Sequence, residues 1–252
     1  MNDQLIKAHV RLTDSVGPTA PFLIVAAALV LYAAAAAALL RDAPGRTAPQ
    51  GSFLARTWAT AQLPATGQLA LLYAIGFGGF VAFSVYLPTY LINAYGLERE
   101  DAALRTAGFV VLAVIMRPVG GVLSDRFHPV PVLVGCFAVV TVFAAVSALE
   151  RPLEWTGTVA FLAMAAALGA SSGAVFALVA LAAPAGKVGA VTGIVGAAGG
   201  LGGFAPPLIM GAIYGWAGNY KPGLWLLAVT ALLAAAYTFW GMRSVGRPAR
   251  AK

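Results

Sequence analysis

The chain is poor in the side chains that most protein chemistry uses: 252 residues include one cysteine, two histidines and nine carboxylates. The single Cys136 excludes an intrachain disulfide and any cysteine-based metal site. His9 and His128 form no ligand cluster with it, so no metal or other cofactor is expected. No general base stands near a nucleophile in any recognisable pattern, and an enzyme is not expected. Gly200 to Ala205 formally fits a relaxed dinucleotide fingerprint, but no strand precedes it. Lys187 follows Gly186, yet a phosphate loop would need glycine where Leu181 stands. The first 20 residues carry Asp3, Lys7, Arg11 and Asp14 without an apolar centre and lack the shape of a cleavable signal peptide.

Charge is scarce and apolar residues are abundant. Only 10% of residues are charged and 60% are hydrophobic, with mean hydropathy +0.85, against ~25% charged in soluble domains. The apolar residues fall into seven runs, 21–40, 68–94, 105–124, 130–149, 157–182, 188–214 and 223–242, each long enough to cross ~30 Å of hydrocarbon as a helix. Continuous apolar runs exclude a β-barrel, whose strands alternate. The expected fold is an all-α polytopic membrane protein surrounded by lipid.

The net charge of +7 does not imply nucleic acid, because the 16 Lys and Arg lie between runs rather than on one face. A cytoplasmic carboxyl end puts nine basic residues inside (Arg41, Arg46, Arg56, Arg126, Lys187, Arg243, Arg247, Arg250, Lys252) and six outside, the sense the positive-inside rule favours. The organisation expected is a tail at 1–20, a helix at 21–40, a cytoplasmic linker at 41–67, a six-helix bundle at 68–242 and a basic cytoplasmic tail at 243–252.

One basic residue fits neither side. Arg117 lies 12 residues into the third run, ~18 Å deep at ~1.5 Å per residue and close to the midplane. A central arginine costs ~2.5–3.5 kcal/mol to insert and normally meets a cavity, a partner or a ligand. No carboxylate lies at that depth, which disfavours a proton relay and points to an anion. A structural role, bonding freed carbonyls or snorkelling to the surface, stands as the other reading. Pro118 removes the hydrogen bond to the Val114 carbonyl at the same depth and can open a cavity there.

In the second run Tyr73, Phe77, Phe80 and Ser84 recur at intervals of four, three and four on one helical face, as substrate-facing aromatics or as ordinary packing. In the sixth, Gly189, Gly193, Gly196, Gly200 and Gly203 make a smooth seam, either a rocking interface or a static close contact.

The stretch VTGIVGAAGGLGGFAPP, from Val191, resembles the second signature motif of the nitrate/nitrite porter family of the major facilitator superfamily. GGVLSDR, Gly120 to Arg126, is similar to the superfamily's loop motif between helices eight and nine. The resemblance runs from about Pro21 onward, as helix six followed by the six-helix carboxyl-terminal half. It implies nitrate or nitrite transport, by anion exchange or proton-coupled uptake, in the inner (plasma) membrane. In the family an arginine from each half holds the anion between aromatic rings and signature glycines. By resemblance Arg117, Tyr73, Phe77, Gly196, Gly199 and Gly200 contact the substrate. Asp125, Arg126, Gly121, Pro118 and Gly203 serve gating or packing.

Helices one to five, with the partner arginine and the first signature, have no counterpart in this sequence. The chain is therefore expected to need a complementary amino-terminal half and not to transport alone. Two alternatives stand beside this: transport of another small anion within the superfamily, or a non-transporting membrane fragment that pairs with a partner.

Overall fold

The structure is a computed structural model that describes residues 19–41, 52–149 and 152–242. The expected tails, apart from residues 19 and 20, lie outside the described residues, as do Arg46, Glu150 and Arg151. Among the described residues there is no strand. The helices are α1 (Ala20–Leu39), α2 (Phe53–Ala61), α3 (Pro64–Tyr95), α4 (Arg99–Phe127), α5 (Pro129–Ala148), α6 (Thr158–Ala182), α7 (Val188–Ala217) and α8 (Lys221–Gly241), with a π-helical turn, Leu153–Gly157, leading into α6. All but α2 are long and apolar enough to cross a membrane, and they coincide with the seven expected runs. The chain divides into two compact units, Met1–Gln50, which contains α1, and Gly51–Lys252, which contains α2 to α8.

Local chemistry sets the helix ends. Prolines occupy the first turn of α3, α5 and α8, where a missing N–H is harmless. Gly96 and Gly218, at φ 66° and 68°, close α3 and α7 in the left-handed conformation. The helices outrun the hydropathy most at the start of α4, which begins six residues before its apolar run. Glu100 and Asp101 occupy its first turn, where carboxylates favour the helix dipole, and Asp101 pairs with Arg105 at 3.1 Å. Hydropathy reports where lipid ends; the helix continues into the polar layer.

The connection expected at 41–67 contains α2. Ser52 caps it, its Oγ accepting from the Ala55 N–H at 3.2 Å. Phe53, Leu54 and Trp58 are exposed on it.

Within the second unit α3 pairs most extensively with α7, α4 with α6 and α5 with α8, while α6 also packs on α5 and α3. Small residues let backbones touch. A methyl group on Gly120 would overlap the Ala170 carbonyl, one on Gly169 the Ala113 carbonyl, and one on Gly173 the carbonyl of Arg117. The α4–α6 contact is thus backbone against backbone at three successive levels. Two buried clusters fill the bundle, one around Phe80, Phe109, Phe161 and Met164, the other around Leu72, Tyr73, Phe137 and Val175. Phe77 packs against both.

Candidate functional site

The α4–α6 contact fixes where Arg117 starts, because Gly173 lies directly against its backbone carbonyl. From there the side chain reaches α3. Its guanidinium carbon stands 4.6 Å from the centre of the Phe77 ring and 5.1 Å from that of Phe80, both within cation–π range. Ring faces hold the cation by their quadrupole and leave its N–H donors unused. Arg117 Nε is buried without an acceptor, and among the described residues the guanidinium has neither a hydrogen bond nor an ion pair. A buried unsatisfied donor on a charged group is costly, and such an atom calls for a ligand or partner.

The aromatic face expected on α3 is built as a stack. Tyr73 and Phe77 lie 5.1 Å apart and nearly parallel, and Phe80 follows at 5.8 Å. Ser84 leaves the series, turning its hydroxyl back to the Val81 carbonyl at 2.7 Å. Sequence reasoning missed Phe176, which meets the Tyr73 ring at 4.7 Å from α6. Its spacing from Gly169 and Gly173, four then three, was the available signal that it shares their face.

The glycine helix α7 divides its glycines between two faces. Gly199 lies against the stack: a methyl there would stand 2.7 Å from Phe77 Cδ1 and overlap the Tyr73 ring. Gly202 lies against Ala74 and Gly78, and Gly203 against Val81, where a methyl would stand 2.7 Å from Cβ. Gly189, Gly193, Gly196 and Gly200 have no atom near a would-be methyl. The expected seam is therefore two surfaces. Arg117, Tyr73, Phe77 and Gly199 come together, whereas Gly196 and Gly200 stand on an open face beside them.

The other candidates lie at the end of α4. Pro118 is exposed and the helix continues through it; Gly121 faces open space. Asp125 and Arg126 are exposed in the last turn, Arg126 resting over its neighbour Phe127 at 5.4 Å. Asp125 joins Ser124 and His128 in an open recess of about 440 Å³ bounded by Ala177 and Leu181 of α6. His128 holds the corner to α5 at φ 72°, a backbone conformation uncommon outside glycine.

The Major Facilitator Superfamily model matches residues 11–207 and again 69–252. The chain belongs to the Major Facilitator Superfamily. It is a multi-pass membrane protein. Among relatives, it is 51% identical over 216 residues to the "Probable nitrate/nitrite transporter NarK2" of Mycobacterium tuberculosis, covering 85% of this chain and 55% of that protein. It is 39% identical over 172 residues to the "Nitrite extrusion protein" of Bacillus subtilis, covering 68% and 43%. The chain thus spans about half the length of the relatives it matches. Its fold is similar to the Escherichia coli fucose:proton symporter FucP, with TM-score 0.70 at 21% identity over 95% of this chain and 58% of the other.

Proposed function

We propose that this superfamily member forms the carboxyl-terminal half of a nitrate/nitrite transporter and supplies one wall of its anion site. The observation that carries the reading is the guanidinium of Arg117, held over Phe77 and Phe80 with Nε buried and unsatisfied. At ~4 Å and an effective dielectric of ~20, a guanidinium and an anion attract by about 4 kcal/mol, enough to offset part of the ion's dehydration. The planar fork matches a flat oxyanion in two-point contact, which a lysine does not. Phe77 and Tyr73 offer flat walls, and Gly199 lets them lie against α7.

The relatives of twice the length support a complementary amino-terminal half as the partner. The open face of α7 with Gly196 and Gly200 is the surface it would meet, and movement of one half against the other would expose the site to each side in turn. The carboxyl end lies in the cytoplasm in this reading, with Asp125 and Arg126 at the cytoplasmic closure. Neither chemistry nor cofactor is required of the chain.

The test is to co-express the chain with the amino-terminal half of the Mycobacterium tuberculosis relative and measure nitrate uptake into vesicles. Uptake restored by the pair, absent with either half alone, and reduced at least tenfold by Arg117→Lys supports the reading. Equal uptake by the lysine variant overturns the two-point anion contact. No uptake from a pair that assembles overturns transport.

A further inference from the structure

Apart from the proposed anion site the bundle contains an apolar cavity, and we propose that it is a binding site for one acyl chain of a membrane phospholipid. The cavity measures about 310 Å³ and lies between α3, α7 and α8, walled by Gly79 and Phe83, Pro206 and Met210, Leu227 and Thr230. Carbon forms almost all of its surface. Of the hydroxyls on its walls, Thr230 Oγ1 already donates to the Leu226 carbonyl at 2.8 Å and Tyr90 Oη to the Ser147 carbonyl at 3.5 Å, while Tyr86 stands with Tyr90 at the polar end. Water needs several polar partners to occupy a cavity and does not find them along the wedge below its tyrosine end. An empty apolar space of this size would leave its lining without dispersion contacts.

The wedge exists because α7 and α8, joined by a short turn, make few contacts with each other. Consecutive Pro206 and Pro207 stand on α7 at that level and line the gap. It opens between Ile209 and Leu226, which are 44% and 46% exposed, and continues into an apolar surface at Val229. Both helices are membrane spans, so the medium outside that mouth is hydrocarbon. The amino-terminal half does not compete for it. Ile209 is nine residues from Gly200, which at ~3.6 residues per turn puts the mouth on the opposite side of α7 from the open glycine face.

Depth and polarity identify the occupant as a phospholipid chain. The α8 wall runs from Gly223, two residues into the helix, to Thr230, ~10 Å at ~1.5 Å per residue, about a third of a ~30 Å hydrocarbon core. Where α8 begins, Tyr86, Tyr90 and Tyr220 cluster, with Asn93 Nδ2 donating to Tyr220 Oη at 2.8 Å. Tyrosines and an amide at that level suit the glycerol and headgroup region, with the chain descending into the wedge.

The experiment uses the full chain in phosphatidylcholine–phosphatidylglycerol vesicles doped with a phosphatidylcholine carrying a diazirine in mid-chain. After irradiation, adducts are mapped by mass spectrometry. Adducts on residues 205–210 and 224–230, several-fold denser than at exposed Leu232 and Leu233, are expected. They should fall at least fivefold in both Ala205→Phe and Thr230→Phe, which fill the cavity, and persist in Leu233→Phe, which does not. Labelling no denser at the wedge than at Leu233, or unchanged in a filled variant that folds, overturns the proposal. If both filled variants fail to fold, the wild-type map decides alone. Labelling by a diazirine fatty acid but not by the phosphatidylcholine overturns the phospholipid source. These outcomes do not depend on nitrate uptake, so this proposal and the transport reading fail separately.

Discussion

Two contacts in this bundle use the same small residues to opposite ends. Between α4 and α6, Gly120, Gly169 and Gly173 put backbone against backbone, and the contact is full. Along α7, Gly189, Gly193, Gly196 and Gly200 touch nothing, and the far side of the same helix opens into a cavity. The first region is a fixed mount. It holds the Arg117 backbone, and through it the charge, at one place against Phe77 and Phe80. The second is held to α3 at Gly199, Gly202 and Gly203 but borders open space at its other glycines and a cavity toward α8, and it is where the fold has room for a partner, a lipid or movement. A glycine in a membrane helix thus signals close approach only once its neighbour is known.

That contrast is broken most severely by adding volume to the mount. Gly169→Val or Gly173→Val should push α4 off α6, since the obstacle is a backbone carbonyl and cannot rotate away. Overpacking costs ~1–3 kcal/mol even where side chains can yield, and here the expected outcome is loss of monodisperse protein in size-exclusion chromatography.

Replacing the charge while keeping its stem separates stability from function. Arg117→Met should melt at the same or a higher temperature in detergent, because it removes an insertion cost of ~2.5–3.5 kcal/mol. Any nitrate-dependent rise in melting temperature of the assembled transporter should disappear. A large drop in the melting temperature of the chain without nitrate would instead mark Arg117 as structural.

The two faces of α7 predict opposite signs for one substitution. Gly199→Ala should lower stability, as its methyl meets the Tyr73 and Phe77 rings. Gly196→Ala and Gly200→Ala should raise that of the isolated chain by up to ~1 kcal/mol each, the difference in helix propensity. They should also weaken pairing with an amino-terminal half in a pull-down. Equal effects from all three would merge the faces.

The smallest effect expected is at the polar rim of the wedge. Tyr220→Phe removes the acceptor of the Asn93 amide and should lower stability by ~1 kcal/mol, read as a modest shift of the thermal midpoint.

Most of the architecture was legible before any coordinates. Continuous apolar runs located the seven spans found among the described residues, because a helix in lipid must satisfy its own backbone and its length must match the bilayer. Arg117 stood out because a charge at that depth is rare, and Tyr73, Phe77 and Phe80 because helical spacing puts them on one face. The parts that were not legible are those that depend on which face meets which. Ser84 has the right spacing and bonds to its own helix; Phe176 comes from another helix with no motif around it. Helix α2 sits in the segment expected to be a linker: its nine residues are strongly amphipathic but too few to cross a bilayer, and the Pro, Gly, Gln, Thr and Arg around them read as a connection.

Sequence by itself determined the class of environment and the placement of the seven spans found among the described residues, since both follow from transfer of side chains between water and hydrocarbon. Only the tertiary structure decided that Gly199 lies against the aromatic stack while Gly196 and Gly200 do not, and that α7 and α8 part to leave a cavity. Hydropathy is a property of single residues. Contact between helices depends on the rotation and separation of pairs, and within lipid, where every side is apolar, composition does not encode which side faces inward.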